Sequence, residues 1–421
     1  MAVTTETVAA VCRRARSASL LLPSVPTAVK DEALEITARL LRERTAEILA
    51  ANETDLERGE ANGLDAALLD RLRLDPERVE AMAVGVEAII ELPDPVGEVI
   101  DGRTLHNGIE LEHKRVPIGV VAIVYEARPN VTVDAAALCL KSGNAAVLRG
   151  SSSAAASNAI LGAIVAEAVA AAGMPAGTIE MVAGNGREEL AELARQRDFV
   201  DLIIPRGGDG LKTALEQVAE VPILYAASGN CHVYVHEDAD LEMARAIAFN
   251  AKVQRPGVCN AAETLLVHSA VAERFLPDAL AELAAAGVEL VGDERARAAA
   301  GATTVGAARA EDWDTEYHAL KLAVAVVNSL EEAIDHINGH GSGHSEAIVT
   351  DSIEAGDHFC GRVDAACVYV NASTRFTDGF VFGMGAEIGN STQKLHARGP
   401  IGLRELTSTK YIGRGSGQIR E

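Results

Sequence analysis

Residues 1–93 carry apolar side chains three and four positions apart, with polar residues between them. The recurring apolar positions are Leu34, Ile36, Leu40, Leu41, Ile48 and Leu49. This period is that of an amphipathic α-helix. Asn62-Gly63 predicts a turn, Asp75-Pro76 a helix start, and Leu92-Pro93-Asp94-Pro95 the end of the helical region.

Residues 96–116 change to a pattern typical of a β-hairpin. Two runs, Val99–Leu105 and Ile109–His113, flank Asn107-Gly108, a dipeptide that favours a tight hairpin turn. Because these strands carry few core residues, we expect the hairpin to pair with another subunit. The short β-like tail Leu406–Gln418 could pair with this hairpin or with a partner chain.

Residues 117–227 alternate apolar runs with helical segments. The run Val120–Val124 is continuously apolar, as expected of a buried parallel strand. The further predicted elements are a helix Val131–Lys141, strand Ala145–Leu148, helix Ala154–Ala172, strand Thr178–Val182, helix Glu188–Arg195, strand Val200–Ile204, helix Leu211–Ala219 and strand Ile223–Tyr225. This βαβ rhythm predicts a doubly wound parallel sheet.

A second α/β region begins near Gly229. Its predicted strands are Val233–Val235, Thr264–Val267, Val288–Val291, Ala323–Val327, Ala347–Thr350 and Cys367–Val370. The fold class that follows is α/β, with two successive α/β regions and a β-hairpin with its tail.

One cysteine lies where the second region breaks from helix to strand. Pro256-Gly257 ends an alanine-rich helical segment, Cys259 follows, and Thr264–Val267 continues as a buried strand. A thiol on such a break can project into a cleft, with backbone N–H groups of the turn beside it, as a nucleophile requires. A small buried core thiol is the other interpretation, and the local residues leave both open.

Composition narrows the class of partner. The formal net charge is −23 and the sequence pI about 4.9, which argues against nucleic acid and anionic membranes. No apolar run of 18 residues free of charge is present, so no membrane span is expected. The six cysteines show no CxxC spacing, so neither a disulfide framework nor a zinc site is predicted, and a cytoplasmic location is expected.

Four histidines near residue 340 raise the question of a metal. They are His336, His340, His344 and His358. The glycines of Asn338-Gly339 and Gly341-Ser342-Gly343 predict a loop, and the histidines lack the spacing of a ligand set. We therefore predict no metal site.

The turn after strand Ala145–Leu148 is a candidate phosphate contact. It holds Arg149, Gly150, Ser151 and Ser152, and serine at a helix start can cap the helix or accompany a bound anion. The glycine-rich turns Gly184-Asn185-Gly186 and Gly207-Gly208-Asp209-Gly210 would fit any α/β protein.

Several stretches, in order along nearly the whole chain, resemble the aldehyde dehydrogenase superfamily and, within it, the gamma-glutamyl phosphate reductase family. They are Leu92–Gly97, Tyr125-Glu126-Ala127-Arg128-Pro129-Asn130-Val131-Thr132, Lys141–Asn144, Ile204–Gly208, Gln254-Arg255-Pro256-Gly257-Val258-Cys259-Asn260, Gly341–His344, Glu387–Gly389 and His396–Pro400. The resemblance selects Cys259 among the six cysteines as the nucleophile.

The resemblance implies NADPH-dependent reduction of L-glutamyl 5-phosphate to L-glutamate 5-semialdehyde and phosphate, the second step of proline biosynthesis from glutamate. Cys259 would form a thioester, with Asn130 as the oxyanion donor. Aldehyde oxidisers of the superfamily carry a general-base glutamate at the position held here by Ala226. Its absence implies a thioester that is protected from water.

Cofactor and substrate residues follow from the same resemblance. Arg149, Ser151, Ser152 and Gly184 would hold NADPH, because Ser152 replaces the glutamate with which NAD-preferring relatives bind the adenosine ribose. Glu316 would bind the nicotinamide ribose. Arg128, Arg255 and Arg375 are the candidates for the carboxylate of the substrate.

The implied organisation has three parts. Residues 1–95 and 117–227 would bind NADPH, residues 228–385 would be catalytic, and residues 96–116 and 400–421 would form an oligomerisation hairpin and tail. We expect a homo-oligomer, dimer or tetramer, and consider contact with the glutamate 5-kinase that makes the labile substrate.

Three other functions remain open. A CoA-acylating or an ordinary aldehyde dehydrogenase would share the architecture. A non-catalytic homologue, acting as a binding or assembly module, would differ in class, and the intact Cys259 argues against it.

Overall fold

The structure is a computed structural model that describes residues 6–64, 66–184, 186–225 and 228–420. The α-helices are α1 Val8–Ser19, α2 Thr27–Glu43, α3 Thr45–Ala61, α4 Ala66–Leu72, α5 Pro76–Ile90, α6 Asn130–Lys141, α7 Ala155–Ala171, α8 Arg187–Ala194, α9 Asp209–Glu216, α10 Leu241–Val253, α11 Ser269–Ala285, α12 Glu294–Ala298, α13 Leu330–His340 and α14 Ile353–Arg362. The strands are β1 Val99–Thr104, β2 Glu110–Pro117, β3 Val120–Tyr125, β4 Ala145–Arg149, β5 Ile179–Met181, β6 Leu202–Arg206, β7 Cys231–Val235, β8 Ala262–His268, β9 Glu289–Gly292, β10 Gly306–Ala307, β11 Lys321–Val327, β12 Ser345–Val349, β13 Cys367–Val370, β14 Asn390–Ser391, β15 Gly399–Pro400 and β16 Thr407–Arg414.

The chain divides into two compact units. The first unit comprises residues 1–225, 383–389 and 401–421, and the second unit comprises residues 226–382 and 390–400. By this division the hairpin and the tail both belong to the first unit. Their role in oligomerisation stays a prediction.

The helical start of the first unit follows its local signals. Helix α5 begins at Pro76, and the Asp75 side chain caps it by accepting the N–H of Arg78. Gly63 after α3 has a φ of +73°, the left-handed conformation that a glycine adopts most easily. The predicted turn, helix start and helix end are all confirmed.

The predicted parallel sheet of this unit is confirmed with one correction. Its four strands run in the order β5-β4-β3-β6, and every residue of β3 is buried, which explains the continuous apolar run. Residues 223–225 do not form the predicted strand. They contribute a single parallel bridge, Ile203 to Ile223, beside β6, which is the last strand in the order of this sheet.

One helix of the first unit is long and apolar enough to cross a membrane by length and composition. It spans Ser152–Ala171, includes α7, and has a mean hydropathy of 1.6 over its most apolar window, half of which is buried. Helix α7 packs against α2, α3 and β5. A core helix has the same composition, because it is apolar all round.

The hairpin and the tail form a three-stranded antiparallel sheet in the order β1-β2-β16. Gly108 occupies the hairpin turn with a φ of +84°. The tail strand pairs with β2 from Thr407–Pro117 to Arg414–Glu110, so the first of its two predicted pairings is confirmed. All residues of β1 are exposed.

The second unit contains a parallel sheet of seven strands in the order β10-β9-β11-β8-β7-β12-β13. Alternate side chains of a strand face opposite sides. Thus Val233 and Leu265 pack with α10 and α11, whereas Tyr234 and Leu266 pack with α13 and α14. The strands predicted for this region are confirmed.

The predicted loop is confirmed at Gly341-Ser342-Gly343 but is wrong at Asn338-Gly339 and at the histidines beside it, His336 and His340. Both histidines lie on α13, which Ser329 caps and which buries Ala333, Ile334 and Ile337. This helical period outweighs the glycine at 339, which lies in the last turn. Among the described residues no cluster of three His, Cys, Asp or Glu side chains could hold a metal ion.

Candidate active site

Cys259 lies at the edge of the seven-stranded sheet where the strands begin. Residues 254–261, here called the cysteine loop, connect α10 to β8. Because neighbouring strands are parallel, the residues before β7, β11 and β12 reach this same edge, which brings Gly229, Glu316 and His344 to the side of the sheet on which the cysteine loop lies. Ligand sites of open parallel sheets usually lie at the other, carboxyl-terminal edge.

The local sequence ends the helix as expected. Helix α10 ends at Val253. Arg255, two residues further on, precedes Pro256, and a residue before proline disfavours helical geometry. The N–H of Ala261 then donates to the carbonyl of Val258 at 3.0 Å, which closes a tight turn around Cys259. The Cys259 side chain is half-buried.

Gly229 and Cys231, just before and at the start of β7, fix the backbone of Cys259. A β-carbon on Gly229 would lie 1.4 Å from the carbonyl oxygen of Cys259, so only glycine allows this approach. The Cys231 thiol donates to the same oxygen at 3.2 Å. Burial, with the nearby charges of Glu346 and Cys259, raises the pKa of Cys231 well above its usual value, so it remains a donor.

Residues 373–377, here called the arginine segment, hold the loop from another side. The Thr374 hydroxyl donates to the carbonyl of Asn260 at 2.7 Å, and the Asn260 amide donates to the carbonyl of Thr377 at 2.8 Å. These bonds tie the residue after the cysteine to a separate part of the chain.

One of the three predicted substrate arginines, Arg375, interacts electrostatically with Cys259. Arg375 donates through Nε to Oε1 of Gln254 at 2.8 Å. Burial and the positive charge of Arg255 lower the pKa of Arg375, while Cys259 acts in the opposite direction. Arg375 therefore interacts electrostatically with both Arg255 and Cys259. Arg128 belongs to the first unit.

Glu316 has a carboxylate oxygen that fits a ligand hydroxyl. Its Oε2 pairs with His318 at 3.2 Å, and its Oε1 is buried without a hydrogen-bond partner among the residues that the structure describes. Burial favours the neutral acid, but His318 and the Gly229 N–H outweigh it and lower the pKa of Glu316. An ionised carboxylate with an unused buried oxygen suits a ribose hydroxyl.

The sequence did not single out His344 for the site, although His344 interacts electrostatically with Glu316. Its Nδ1 is 2.8 Å from the Ser345 hydroxyl, which donates to the Thr377 hydroxyl at 2.6 Å. Burial lowers the pKa of His344 to about 4, with Glu316 opposing, so the imidazole is neutral at pH 7. A buried neutral histidine carries no charge into the site.

The predicted cofactor turn lies in the first unit, after β4. Arg149 is 6% exposed and donates to the carbonyl of Gly186 at 2.8 Å. Ser151 accepts the N–H of Ala127 at 3.1 Å, whereas Ser152 is exposed. Ser152 is thus the side chain of this turn that is open to a ligand.

Asp55, which the sequence did not single out, caps helix α7. Its carboxylate accepts the N–H groups of Ala156 and Ser157, at 3.1 and 2.8 Å. The capping that serines were expected to provide is therefore supplied by an aspartate about 100 residues away. A carboxylate already occupies this helix start, so an anion would bind at the side chains of the turn.

Gly184 and Asn130 are placed by their neighbours. Gly184 has a φ of +95°, and a β-carbon there would lie 2.8 Å from the Glu189 carboxylate. Asn130 begins α6, and its amide donates to Asp134 at 2.8 Å. Ala127, just before it, has a φ of +43°, a strained conformation for a residue other than glycine. Ala226, the position of the missing general base, lies outside the described residues.

Comparison with known proteins shows the family of the chain. The model of the aldehyde dehydrogenase family matches residues 1–318. The gamma-glutamyl phosphate reductase of Thermobifida fusca is 55% identical over 410 residues, covering 97% of this chain and 98% of the relative. That of Syntrophomonas wolfei is 53% identical, covering 97% of each chain.

Solved structures give the same result for the fold. The crystal structure of gamma-glutamyl phosphate reductase from Thermotoga maritima has a TM-score of 0.96 and 44% identity, covering 99% of this chain and 100% of that one. An acetylating aldehyde dehydrogenase from Geobacillus thermoglucosidasius has a TM-score of 0.69 at 19% identity, covering 98% and 97% of the two chains, and shares the fold. Membership of the aldehyde dehydrogenase family implies a nicotinamide cofactor. The chain belongs to the aldehyde dehydrogenase family and, within it, to the gamma-glutamyl phosphate reductases.

Proposed function

We propose that this protein reduces L-glutamyl 5-phosphate to L-glutamate 5-semialdehyde and phosphate with NADPH, as the second step of proline biosynthesis from glutamate. The observation that carries the proposal is the hydrogen-bonded cysteine loop, whose Cys259 and Arg255 both interact electrostatically with Arg375 of the arginine segment. The 55% identity to a gamma-glutamyl phosphate reductase supports the choice of substrate.

Cys259 is the proposed nucleophile. Its thiolate attacks the acyl carbon, a C–S bond forms, and the C–O bond to phosphate breaks, which leaves a thioester and free phosphate. The positive charges of Arg255 and Arg375 favour both the thiolate and the anionic substrate. The Cys259 N–H and the Asn130 amide are the proposed donors to the oxyanion.

The cofactor completes the reaction. When bound, the nicotinamide supplies a hydride to the thioester carbon. The C–S bond then breaks, which releases the aldehyde and restores the Cys259 thiolate. Thiolate is a good leaving group, which is why serine would replace this cysteine poorly.

Each unit, taken by itself, holds polar groups that suit one end of a nicotinamide dinucleotide. Among the residues that the structure describes, the buried Oε1 of Glu316 has no hydrogen-bond partner. It would accept a hydrogen bond from a ribose hydroxyl. The turn of Arg149, Ser151 and Ser152, with the Gly184 turn beside Glu189, would hold the adenosine end. Ser152 lacks the carboxylate that would repel a 2′-phosphate, and this favours NADPH.

The proposal extends to substrate and partners. Arg128, Arg255 and Arg375 are the candidates to bind the α-carboxylate of the substrate. The protein forms a homo-oligomer through the sheet β1-β2-β16 and is cytoplasmic in the same proposal. Glutamate 5-kinase would hand over the labile acyl phosphate directly.

The test is semialdehyde-dependent reduction of NADP⁺ with phosphate, with CoA, and with neither. We expect turnover with phosphate alone, and its loss in Cys259→Ala. The matched control is Cys360→Ala, since Cys360 is exposed and outside the cysteine loop. Turnover with CoA would instead assign an acylating dehydrogenase, and turnover without either acceptor an ordinary oxidising one. Full activity in Cys259→Ala would overturn the nucleophile.

A further inference from the structure

A buried ion pair joins the helix and the strand on either side of the cysteine loop. Lys252 lies in the last turn of α10, and Glu263 is the second residue of β8. Nζ of Lys252 and Oε2 of Glu263 are 2.5 Å apart, and both side chains are completely buried. The ten residues between them, which include Cys259, therefore start and finish at one fixed point.

The same ion pair also contacts Tyr317, the residue next to Glu316. The Lys252 ammonium lies over the ring of Tyr317, 5.9 Å from its centre. The Tyr317 hydroxyl donates to Asp312 at 2.8 Å, which fixes the ring. Glu316 also contributes electrostatically at both members of the pair. One buried charge thus supports the cysteine loop and the segment of the proposed ribose ligand.

The energetic balance of this pair argues for a geometric role. Burial raises the pKa of Glu263 to about 7 and lowers that of Lys252, and in each case the partner acts in the opposite direction. Oε1 of Glu263 is buried without a partner among the described residues. A well-packed apolar pair is often as stable as a buried ion pair. A directional bond, however, fixes relative position, which apolar contact does less sharply.

We propose that Lys252 and Glu263 are positioning residues for Cys259. They hold the cysteine loop in its reactive geometry and fix its position relative to Glu316. This rests on the proposed function for the identity of the nucleophile. The pair itself does not touch the substrate. Loss of the pair should slow the reaction of Cys259 more than it weakens substrate binding.

The experiment compares an apolar double variant with a matched surface pair. Lys252→Met/Glu263→Leu removes both charges together, so neither is left unpaired in the core. The control is Arg245→Gln/Glu282→Gln, which removes a half-exposed ion pair that also involves helix α10. Glu263→Gln is a second variant that keeps the shape of the carboxylate if the double variant fails to fold, and Lys252→Arg is the conservative rescue.

Two readouts separate position from stability. The first is the rate at which iodoacetamide alkylates Cys259, followed by mass spectrometry in a Cys360→Ser background, which needs no knowledge of the substrate. The second is kcat and KM for phosphate-dependent oxidation of the semialdehyde. Misplacement of a reacting group by about 1 Å can cost up to roughly a hundredfold in rate.

We expect the folded double variant to lose about tenfold or more in alkylation rate and kcat, with KM changed less than about threefold, and Lys252→Arg to recover part of the loss. The surface control should match the wild type. Wild-type alkylation and kcat in the double variant, or in Glu263→Gln, would overturn the proposal. A slowed alkylation in a protein without semialdehyde activity would support the positioning role and contradict the proposed function instead.

Discussion

The α-carbon of Gly229 lies so close to Cys259 that a β-carbon there would come within 1.4 Å of the Cys259 carbonyl oxygen. Two residues 30 positions apart in the sequence are thus in such close contact that position 229 has room for a hydrogen atom but not for a side chain. The backbone of the proposed nucleophile is thereby set by a residue that takes no part in the chemistry.

Gly229→Ala should therefore displace the cysteine loop. We expect kcat to fall by about a hundredfold, because the loop must move by more than an ångström, together with a loss of about 1–3 kcal/mol in unfolding free energy. Steady-state kinetics and urea unfolding measure the two effects. The control is Gly339→Ala, which lies in helix α13 with nothing within 4 Å of its β-carbon and should be neutral or stabilising.

Cys231→Ala should remove the donor to the Cys259 carbonyl. We expect a drop of about tenfold in kcat and slower alkylation of Cys259, while Cys231→Ser recovers part of the loss, since its hydroxyl can donate. Cys139→Ala is matched for size and burial but lies in the first unit, so it should cost stability alone. Equal kcat in Cys231→Ala and wild type would contradict a role in positioning.

Glu316→Gln should weaken cofactor binding. The amide keeps the size of the side chain but loses the charge that strengthens a hydrogen bond to a ribose hydroxyl, so KM for NADPH should rise about tenfold. Glu311→Gln, an exposed carboxylate in the same acidic run, is the control. An unchanged KM and kcat would remove Glu316 from the cofactor site.

Ser152→Glu should shift cofactor preference from NADPH towards NADH. A carboxylate at this exposed position would repel a 2′-phosphate and accept the hydroxyls of the unphosphorylated ribose, so the ratio of kcat/KM values should change by about tenfold or more. Ser152→Gln carries the same bulk without the charge and should preserve the preference. A wild-type preference for NADH would already refute the assignment.

Asp134→Asn should stabilise the protein at high pH. Burial raises the pKa of Asp134 to about 6, against the hydrogen bond from Asn130. The folded state then binds more protons than the unfolded state between about pH 4 and 6, so wild-type stability falls as pH rises through that range. Above pH 6 the variant should gain up to about 3 kcal/mol.

Urea unfolding from pH 4 to 8 measures this difference, which should vanish near pH 4. The control is Asp278→Asn, at an exposed position on α11. The variant also probes Asn130, because the amide loses a charged acceptor. Because the variant should be more stable above pH 6, a fall in its kcat in that range would then support Asn130 as the oxyanion donor.

Local signals along the chain were enough for most of the elements. Strand β3 is completely buried and its sequence is continuously apolar, so a parallel core strand could be predicted from residues 120–124 alone. The hairpin turn at Gly108 and the start of α5 at Asp75-Pro76 likewise depend on neighbouring residues only. Helix α13 was missed, because Gly339 favours a turn, whereas the apolar residues spaced at a helical period favour a helix. The packing of those apolar residues in the core decided for the helix.

By itself, the sequence determined the two α/β regions, the break at Pro256-Gly257 and the candidate Cys259, since helix period, strand alternation and turn residues are local properties. Tertiary structure alone decided that Gly229 and Cys231 fix the carbonyl of Cys259, that Asp55 caps α7, and that Lys252 and Glu263 close the cysteine loop. Each of these contacts joins residues whose neighbours in sequence give no sign of the partner. Close packing brings them together, and it depends on the whole set of buried side chains at once.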